Sequence, residues 1–215
     1  MAKRRKVGNL LALGVLTTLV QRQAHPYEMA SLLRAWSKDE DLQIKWGSFY
    51  TVVRNLEKHG FIAEVESTRQ GGRPERTVYR ITDAGRAELE DWTRELISVP
   101  EREHPRFEAG LSVLGGLPPD EAVVLLGQRL TGLEERIADQ REALRRNGDE
   151  VPRLFLVEAE YALAMREAEA AWVRSLLDEL TTGSFPGLAQ WGAFHETGDM
   201  PPELTDLTRR GRTTD

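Results

Sequence analysis

Between Phe61 and Ile81 the apolar residues change period, and that change constrains the chain more than any other feature. Before it, apolar side chains recur every three or four positions, as along one side of a helix. Across Phe61 to Arg69 they alternate: Phe61, Ala63 and Val65 fall on one face, Ile62, Glu64 and Glu66 on the other. Gln70-Gly71-Gly72-Arg73-Pro74 reads as a turn, and Thr77-Val78-Tyr79-Arg80-Ile81 alternates again. The pattern predicts a two-stranded hairpin with a long, basic, Gly-rich tip.

Three helices precede this hairpin. Asn9 is placed to cap a helix over 10–22, with Leu10, Leu13, Leu16, Leu19 and Val20 on its apolar side. Pro26 suits the first turn of a second helix, where a missing N–H costs nothing. That helix is expected to reach about Ser37 and to bury Tyr27, Ala30, Leu33 and Trp36. After a charged loop, Lys38 to Asp41, a third helix starts near Trp46-Gly47-Ser48, with Ser48 as its cap, and runs to Lys58. Gly60 fits the left-handed position just past its end. Beyond the hairpin, Thr82-Asp83-Ala84-Gly85 caps a fourth helix to about Ile97, and Pro100 to Pro105 forms a charged linker.

The back half reads as helical. A short apolar helix over 106–115 ends at Gly115-Gly116. Pro118-Pro119-Asp120 opens a long helix to about Arg146, with Val123, Leu126, Leu130, Leu133, Ile137 and Leu144 in one stripe and Gln140 interrupting it. Val151-Pro152 starts another, to about Leu180, with Leu154, Val157, Tyr161, Ala164, Ala168, Trp172, Leu176 and Leu180 on one side. Two helices alone cannot cover both stripes, so partner helices are required. The expected division is 1–99, 106–182 and a loosely ordered Gly/Pro/Thr-rich tail over 183–215.

Composition narrows the chemistry. The chain has no cysteine, which removes disulfides, thiol nucleophiles and thiolate metal sites. Its 4 histidines are scattered, with no pair at metal-ligand spacing. No nucleotide, hydrolase or metalloprotease motif is found, so neither an enzyme nor a cofactor is expected. The basic start and apolar stretch Val7–Val20 superficially resemble a leader, but Asn9, Thr17 and Thr18 interrupt it. It is also too short to span a bilayer and reads as a buried helix, so a cytoplasmic protein is expected. The net charge of −6 hides an asymmetry: residues 1–82 carry 14 Lys and Arg against 8 Asp and Glu, residues 83–215 carry 15 against 27. A basic front can meet phosphate.

Three helices and a hairpin describe a winged helix-turn-helix, whose third helix must bury one face and leave the other for the major groove. Phe49, Val52, Val53 and Leu56 make the buried stripe. Ser48, Tyr50, Thr51, Arg54, Asn55 and Lys58, with Lys45 just before them, are candidate DNA contacts. Arg69, Arg73, Arg76 and Arg80 surround the hairpin tip and suit backbone or minor-groove contact. The expected class is therefore mainly α with a small β-hairpin: an N-terminal winged helix-turn-helix followed by a long-helix dimerisation domain. The competing reading, a winged-helix protein-interaction module that does not bind DNA, would call for an acidic or apolar third-helix face and a wing without arginines.

The chain resembles the PadR-type transcriptional regulators across residues 9–182. The carrying segments are His25-Pro26-Tyr27-Glu28-Met29, Gly47-Ser48-Phe49-Tyr50, Leu56-Glu57-Lys58-His59-Gly60-Phe61-Ile62 and Arg76-Thr77-Val78-Tyr79-Arg80-Ile81-Thr82-Asp83-Ala84-Gly85. It departs from the usual pattern at Pro26, where a glycine is common, and at Thr51, where a proline is common. The resemblance implies a homodimer joined through C-terminal helices and an imperfect palindromic DNA operator. It also implies repression relieved by a small apolar or phenolic molecule. Trp92 lies in the region that lines a dimer-interface cavity in some relatives, and Trp172 sits mid-stripe among alanines, so both are candidate ligand contacts.

Overall fold

The computed structural model describes residues 5–36, 38, 42, 44–68 and 76–198. The chain divides into two units, Met1–Glu103 and His104–Asp215. The first contains α1 (Leu11–Gln21), α2 (Pro26–Ala35), α3 (Phe49–Lys58), β1 (Ile62–Thr68), β2 (Arg76–Ile81) and α4 (Asp83–Ser98). The second contains α5 (Arg106–Leu111), α6 (Pro119–Asn147), α7 (Val157–Thr182) and α8 (Leu188–Thr197).

Local chemistry sets the boundaries in the first unit. The Asn9 side chain accepts from the Leu11 amide at 2.9 Å, capping α1 as expected. His25 Nδ1 accepts from the Tyr27 amide at 3.1 Å while Glu28 accepts from the His25 amide at 2.8 Å, a reciprocal cap in front of Pro26. Leu11, Leu16, Met29, Leu33, Phe49, Val53, Leu56 and Ile62 are fully buried and build the core. Thr18 is buried among them without penalty, because its hydroxyl donates to the Val15 carbonyl at 2.8 Å.

Several expectations are corrected. Tyr27 is 66% exposed and Val20 points outward; Met29 takes the inward position on α2 instead. Ser48 does not cap α3: its hydroxyl donates back to the Lys45 carbonyl at 2.8 Å within a 3₁₀ turn, Trp46–Ser48. In the hairpin, Glu64 pairs with Tyr79 and Glu66 with Val78, so Val65 is a bulge residue and strict alternation stops there. Ala24, between α1 and α2, pairs with Tyr79 and gives β2 a one-residue second partner beside β1.

The base of the hairpin is locked to both flanking helices. Gly60 adopts φ 75, the left-handed conformation that ends α3. Thr82 Oγ1 lies 2.7 Å from the Gly60 carbonyl oxygen and accepts from the Gly85 amide at 3.0 Å, capping α4. Gly85 leaves no room for a side chain: a Cβ there would stand 2.0 Å from the Phe61 carbonyl oxygen.

In the second unit α6 and α7 pair as a helical hairpin. Leu126, Leu133 and Ile137 of α6 meet Ala170, Val173 and Leu180 of α7. Gln140 pins the register, its amide donating to the Ala159 carbonyl at 2.7 Å and accepting from Arg166. The stripe expected on the inside of α7 is only partly there: Leu180 is buried and Leu176 packs on the core. Leu154, Val157, Tyr161 and Trp172 are exposed, Tyr161 by 68% and Trp172 by 49%. Over most of its length the helix turns Leu163, Ala170, Val173 and Leu177 towards α6, joined at its end by Leu176 and Leu180. The short helix is also briefer than expected, with a 3₁₀ turn Leu114–Gly116 replacing its last residues.

The loosely ordered tail expected from 183 is a second correction. Gly183 and Gly187 adopt φ 77 and φ 83, breaking the chain direction, and α8 then follows. Phe185, Leu188 and Trp191 pack on the α6–α7 core, and the Trp191 indole donates to the Leu117 carbonyl at 2.8 Å. Apolar side chains two turns past a helix breaker found a surface to cover. Residues 199–215 of that segment lie outside the described residues.

Two glycines should respond oppositely to alanine. Gly85→Ala must displace the Phe61 backbone and is expected to cost about 3 kcal/mol. Gly132→Ala, in α6 with nothing near its Cβ position, should stabilise by about 0.5–1 kcal/mol through helix propensity. Urea unfolding of each variant checks both signs.

Candidate nucleic-acid interface

α3 is amphipathic in the strict sense. Phe49, Val52, Val53 and Leu56 are buried, each at most 4% exposed. Tyr50, Thr51, Arg54, Asn55 and Lys58 are exposed on the other side, and Lys45 is exposed just upstream. Ser48 is half-buried and committed to the Lys45 carbonyl, so it is set apart from the exposed group. The entry to α3 is anchored by aromatic contacts. The Arg34 guanidinium sits 4.0 Å above the Trp46 ring, Trp46 lies 5.9 Å from Phe49, and Phe49 meets Tyr50 edge-on at 5.7 Å. These contacts orient Tyr50, the first exposed residue of the helix.

The wing is tied to α3 by a polar strut that the sequence reading did not single out. The Tyr79 hydroxyl donates to the Glu57 carboxylate at 3.2 Å, joining β2 to the last turn of the helix. The Tyr79 backbone meanwhile exchanges two hydrogen bonds with Ala24, at 3.1 and 3.0 Å. Alternation placed Tyr79 in a strand, but no sequence pattern relates it to Glu57. Of the expected wing contacts, Arg80 is exposed on β2 and Arg76 opens that strand opposite Thr68. Arg69 and Arg73 lie outside the described residues.

Burial and the neighbouring Glu57 charge push the Tyr79 phenol up to about 12. The neutral phenol is thus favoured in the fold. Its contribution is whole below the ordinary value near 10.0 and is lost as pH rises towards about 12.

The two tryptophans expected to contact a ligand fall in different units. Trp92, on α4, is 6% exposed and belongs to the first core, with the Arg5 guanidinium 5.1 Å from its ring centre. It borders a cleft of about 420 Å³ whose apolar wall is Leu10, Leu96 and Val99. Trp172, on α7, meets Phe107 edge-on at 6.1 Å, and the Arg129 guanidinium lies over the Phe107 ring, 3.6 Å from its centre. Among the described residues there is no cluster of metal-ligating side chains and no helix long and apolar enough to cross a membrane.

Comparison with known proteins agrees with this geometry. The model of the Transcriptional regulator PadR-like family matches residues 15–91. The structure of Bacillus subtilis PadR with operator DNA superposes with a TM-score of 0.65 at 21% identity, covering 80% of this chain and 99% of that one. The same protein with p-coumaric acid gives 0.67 at 19% identity, with the same coverage. The Vibrio cholerae virulence activator AphA gives 0.60 at 20% identity, covering 80% of this chain and 98% of that one. No curated protein matches the chain.

Replacing Tyr79 by Phe should cost about 1 kcal/mol at neutral pH by removing the bond to Glu57. The gap between wild type and Tyr79→Phe should then narrow as the pH passes from 10.0 towards about 12. Chemical denaturation of both proteins across that range measures it. A gap independent of pH would show that the strut does not hold the phenol neutral.

Proposed function

We propose that the chain, whose residues 15–91 match the PadR-like family of transcriptional regulators, is a homodimeric, sequence-specific DNA-binding repressor released by a small molecule. The observation that carries this is α3: one face is locked in the core while Tyr50, Thr51, Arg54, Asn55 and Lys58 stand free on the other. Arginine can pair with guanine edges, asparagine with adenine, and lysine, threonine and tyrosine with phosphates. In this reading Lys45 and, from the sequence, Arg69, Arg73 and Arg76 serve phosphate contacts, and Ser48 supports the turn that leads into α3. The Bacillus subtilis relative is seen on operator DNA, which supports the same use here. A regulator of this kind works in the cytoplasm and needs no catalytic centre.

Repression and ligand release are the finer part of the proposal. The complex of that relative with p-coumaric acid supports control by a small aromatic molecule, while the Vibrio cholerae relative is named an activator. In this chain Trp92 borders a cleft large enough for such a ligand, since pockets for small molecules begin near ~300 Å³. Trp172 belongs instead with the exposed stripe of α7.

That stripe supports the dimer. Val157, Tyr161, Met165 and Trp172 are exposed on a helix whose other apolar face is already used within the chain. A second copy offers the matching surface, and an imperfect palindrome presents two half-sites about one helical turn apart. Burying large side chains gains ~1.5–3 kcal/mol each, so a few per protomer offset an association cost of ~4–15 kcal/mol.

Operator binding measured against salt should show a log–log slope of about −5 to −7 if a dimer neutralises ~6–8 phosphates. Arg54→Ala should cost ~1–3 kcal/mol and relax discrimination at one position per half-site. A salt-independent interaction, or an Arg54→Ala protein with wild-type affinity and specificity, would overturn the reading.

Tyr161→Arg combined with Trp172→Arg should convert the full chain to a monomer at micromolar concentration and weaken operator binding at least about a hundredfold, as the second half-site is lost. Sedimentation equilibrium decides this. A variant that stays dimeric would place the interface elsewhere.

A further inference from the structure

The segment ahead of α1 carries an arginine in an unusual position. Arg5 lies outside any helix or strand, yet its side chain is only 3% exposed. Its guanidinium donates to Glu88 at 2.9 Å, to Asp91 at 3.1 Å and to Glu95, and rests over the Trp92 ring. Those three carboxylates follow one another at helical spacing along a single face of α4, with Trp92 between them. An aromatic face and a row of carboxylates form a receptor for a planar cation.

Two further features bear on what that receptor holds. Arg5 Nε is buried with no hydrogen-bond partner among the described residues, so the match to the guanidinium is incomplete. An orphaned buried donor carries a desolvation penalty. The cleft of about 420 Å³ continues from Arg5 and Trp92 along Leu10, Leu96 and Val99, and its lining carries Glu95, Glu101 and Glu103 against Arg102 and Arg5 itself. It offers room for an apolar body beside a cationic head, and its acidic side disfavours an anionic one.

We propose that Arg5 is an internal, displaceable occupant of a cation-binding site on α4, and that the ligand of this site is an arylamidinium. The planar head replaces the guanidinium over Trp92 and against Glu88 and Glu95, and the ring fills the cleft. An amidinium has no counterpart of the orphaned Nε, so it makes the same bonds without that penalty. Displacing Arg5 frees the segment that leads into α1, whose buried residues pack on the same core as α3. The site deepens the small-molecule control proposed above and rests on it only for the regulatory consequence.

The test uses the full-length protein and an isosteric series: benzamidine, neutral benzamide and anionic benzoate. Binding is followed at the Trp92 indole signal in proton–nitrogen correlation spectra, assigned with Trp92→Phe. Benzamidine should bind with a Kd on the order of 1 mM or tighter, as suits so small a ligand. Benzamide and benzoate should bind at least about tenfold more weakly, having lost the charge-assisted bonds. Arg5→Ala should tighten benzamidine binding about tenfold, because the competing occupant is gone, and Arg5→Lys should tighten it by less. Glu88→Gln with Glu95→Gln should weaken it about tenfold.

A purely structural Arg5 would give the opposite result, with Arg5→Ala and Arg5→Lys leaving benzamidine binding unchanged or weaker. That outcome overturns the proposal, as does equal binding of the three probes. Thermal unfolding checks both variants, and Arg5→Lys decides the question should Arg5→Ala fail to fold. Operator gel shifts separate the two readings. Benzamidine that binds as expected but leaves the operator complex intact upholds the site and removes the ligand control. An operator complex that forms normally in a protein that does not bind benzamidine removes the site alone.

Discussion

The burial of Phe49, Val52, Val53 and Leu56 is the interaction on which the rest of the first unit depends. A ten-residue helix is too short to persist in water by itself. Seated on α1 and α2 through that apolar face, it becomes rigid, and its polar face becomes a fixed surface. The hairpin adds to this rigidity from the far end. The bonds from Thr82 to Gly60 and from Tyr79 to Glu57 join the wing to the last turn of α3, so helix and wing form one body. The close approach of Gly85 to the Phe61 carbonyl seals the same junction.

The second unit follows a different logic. α6 and α7 are held by one apolar seam, by Gln140 and by cross-helix ion pairs such as Arg129–Glu169 and Arg174–Glu134. The ion pairs are largely exposed and contribute little each. Specificity of register comes from Gln140, whose amide would be left unsatisfied by a slip. The helix α8 then covers part of the seam through Trp191 and Leu188. What it leaves uncovered is the Tyr161–Trp172 side of α7, the surface on which the dimer proposal stands.

Much of this is legible in the sequence. The change of period at Phe61 located the wing, the Asn9, Pro26, Gly60 and Thr82 signals bounded the helices, and the spacing of Phe49, Val52, Val53 and Leu56 identified the buried side of α3. Those signals are local: each depends on backbone geometry or on residues within one turn. Tyr27 departs from its expected place for the same reason: its spacing fits an inward position that Met29 occupies. Val65 escaped because a bulge is set by the partner strand rather than by the strand itself.

The sequence by itself determined the order of elements and the amphipathic third helix with its polar set. Helical and strand periods are properties of the chain, so they are written in residue spacing. Only the tertiary structure decided which of two apolar faces of α7 meets α6, that the segment after Gly183 returns as a helix, and that Arg5 lies on Trp92 against three carboxylates. These are choices between surfaces of similar composition. They are made by contacts between residues far apart in the chain, for which spacing carries no information.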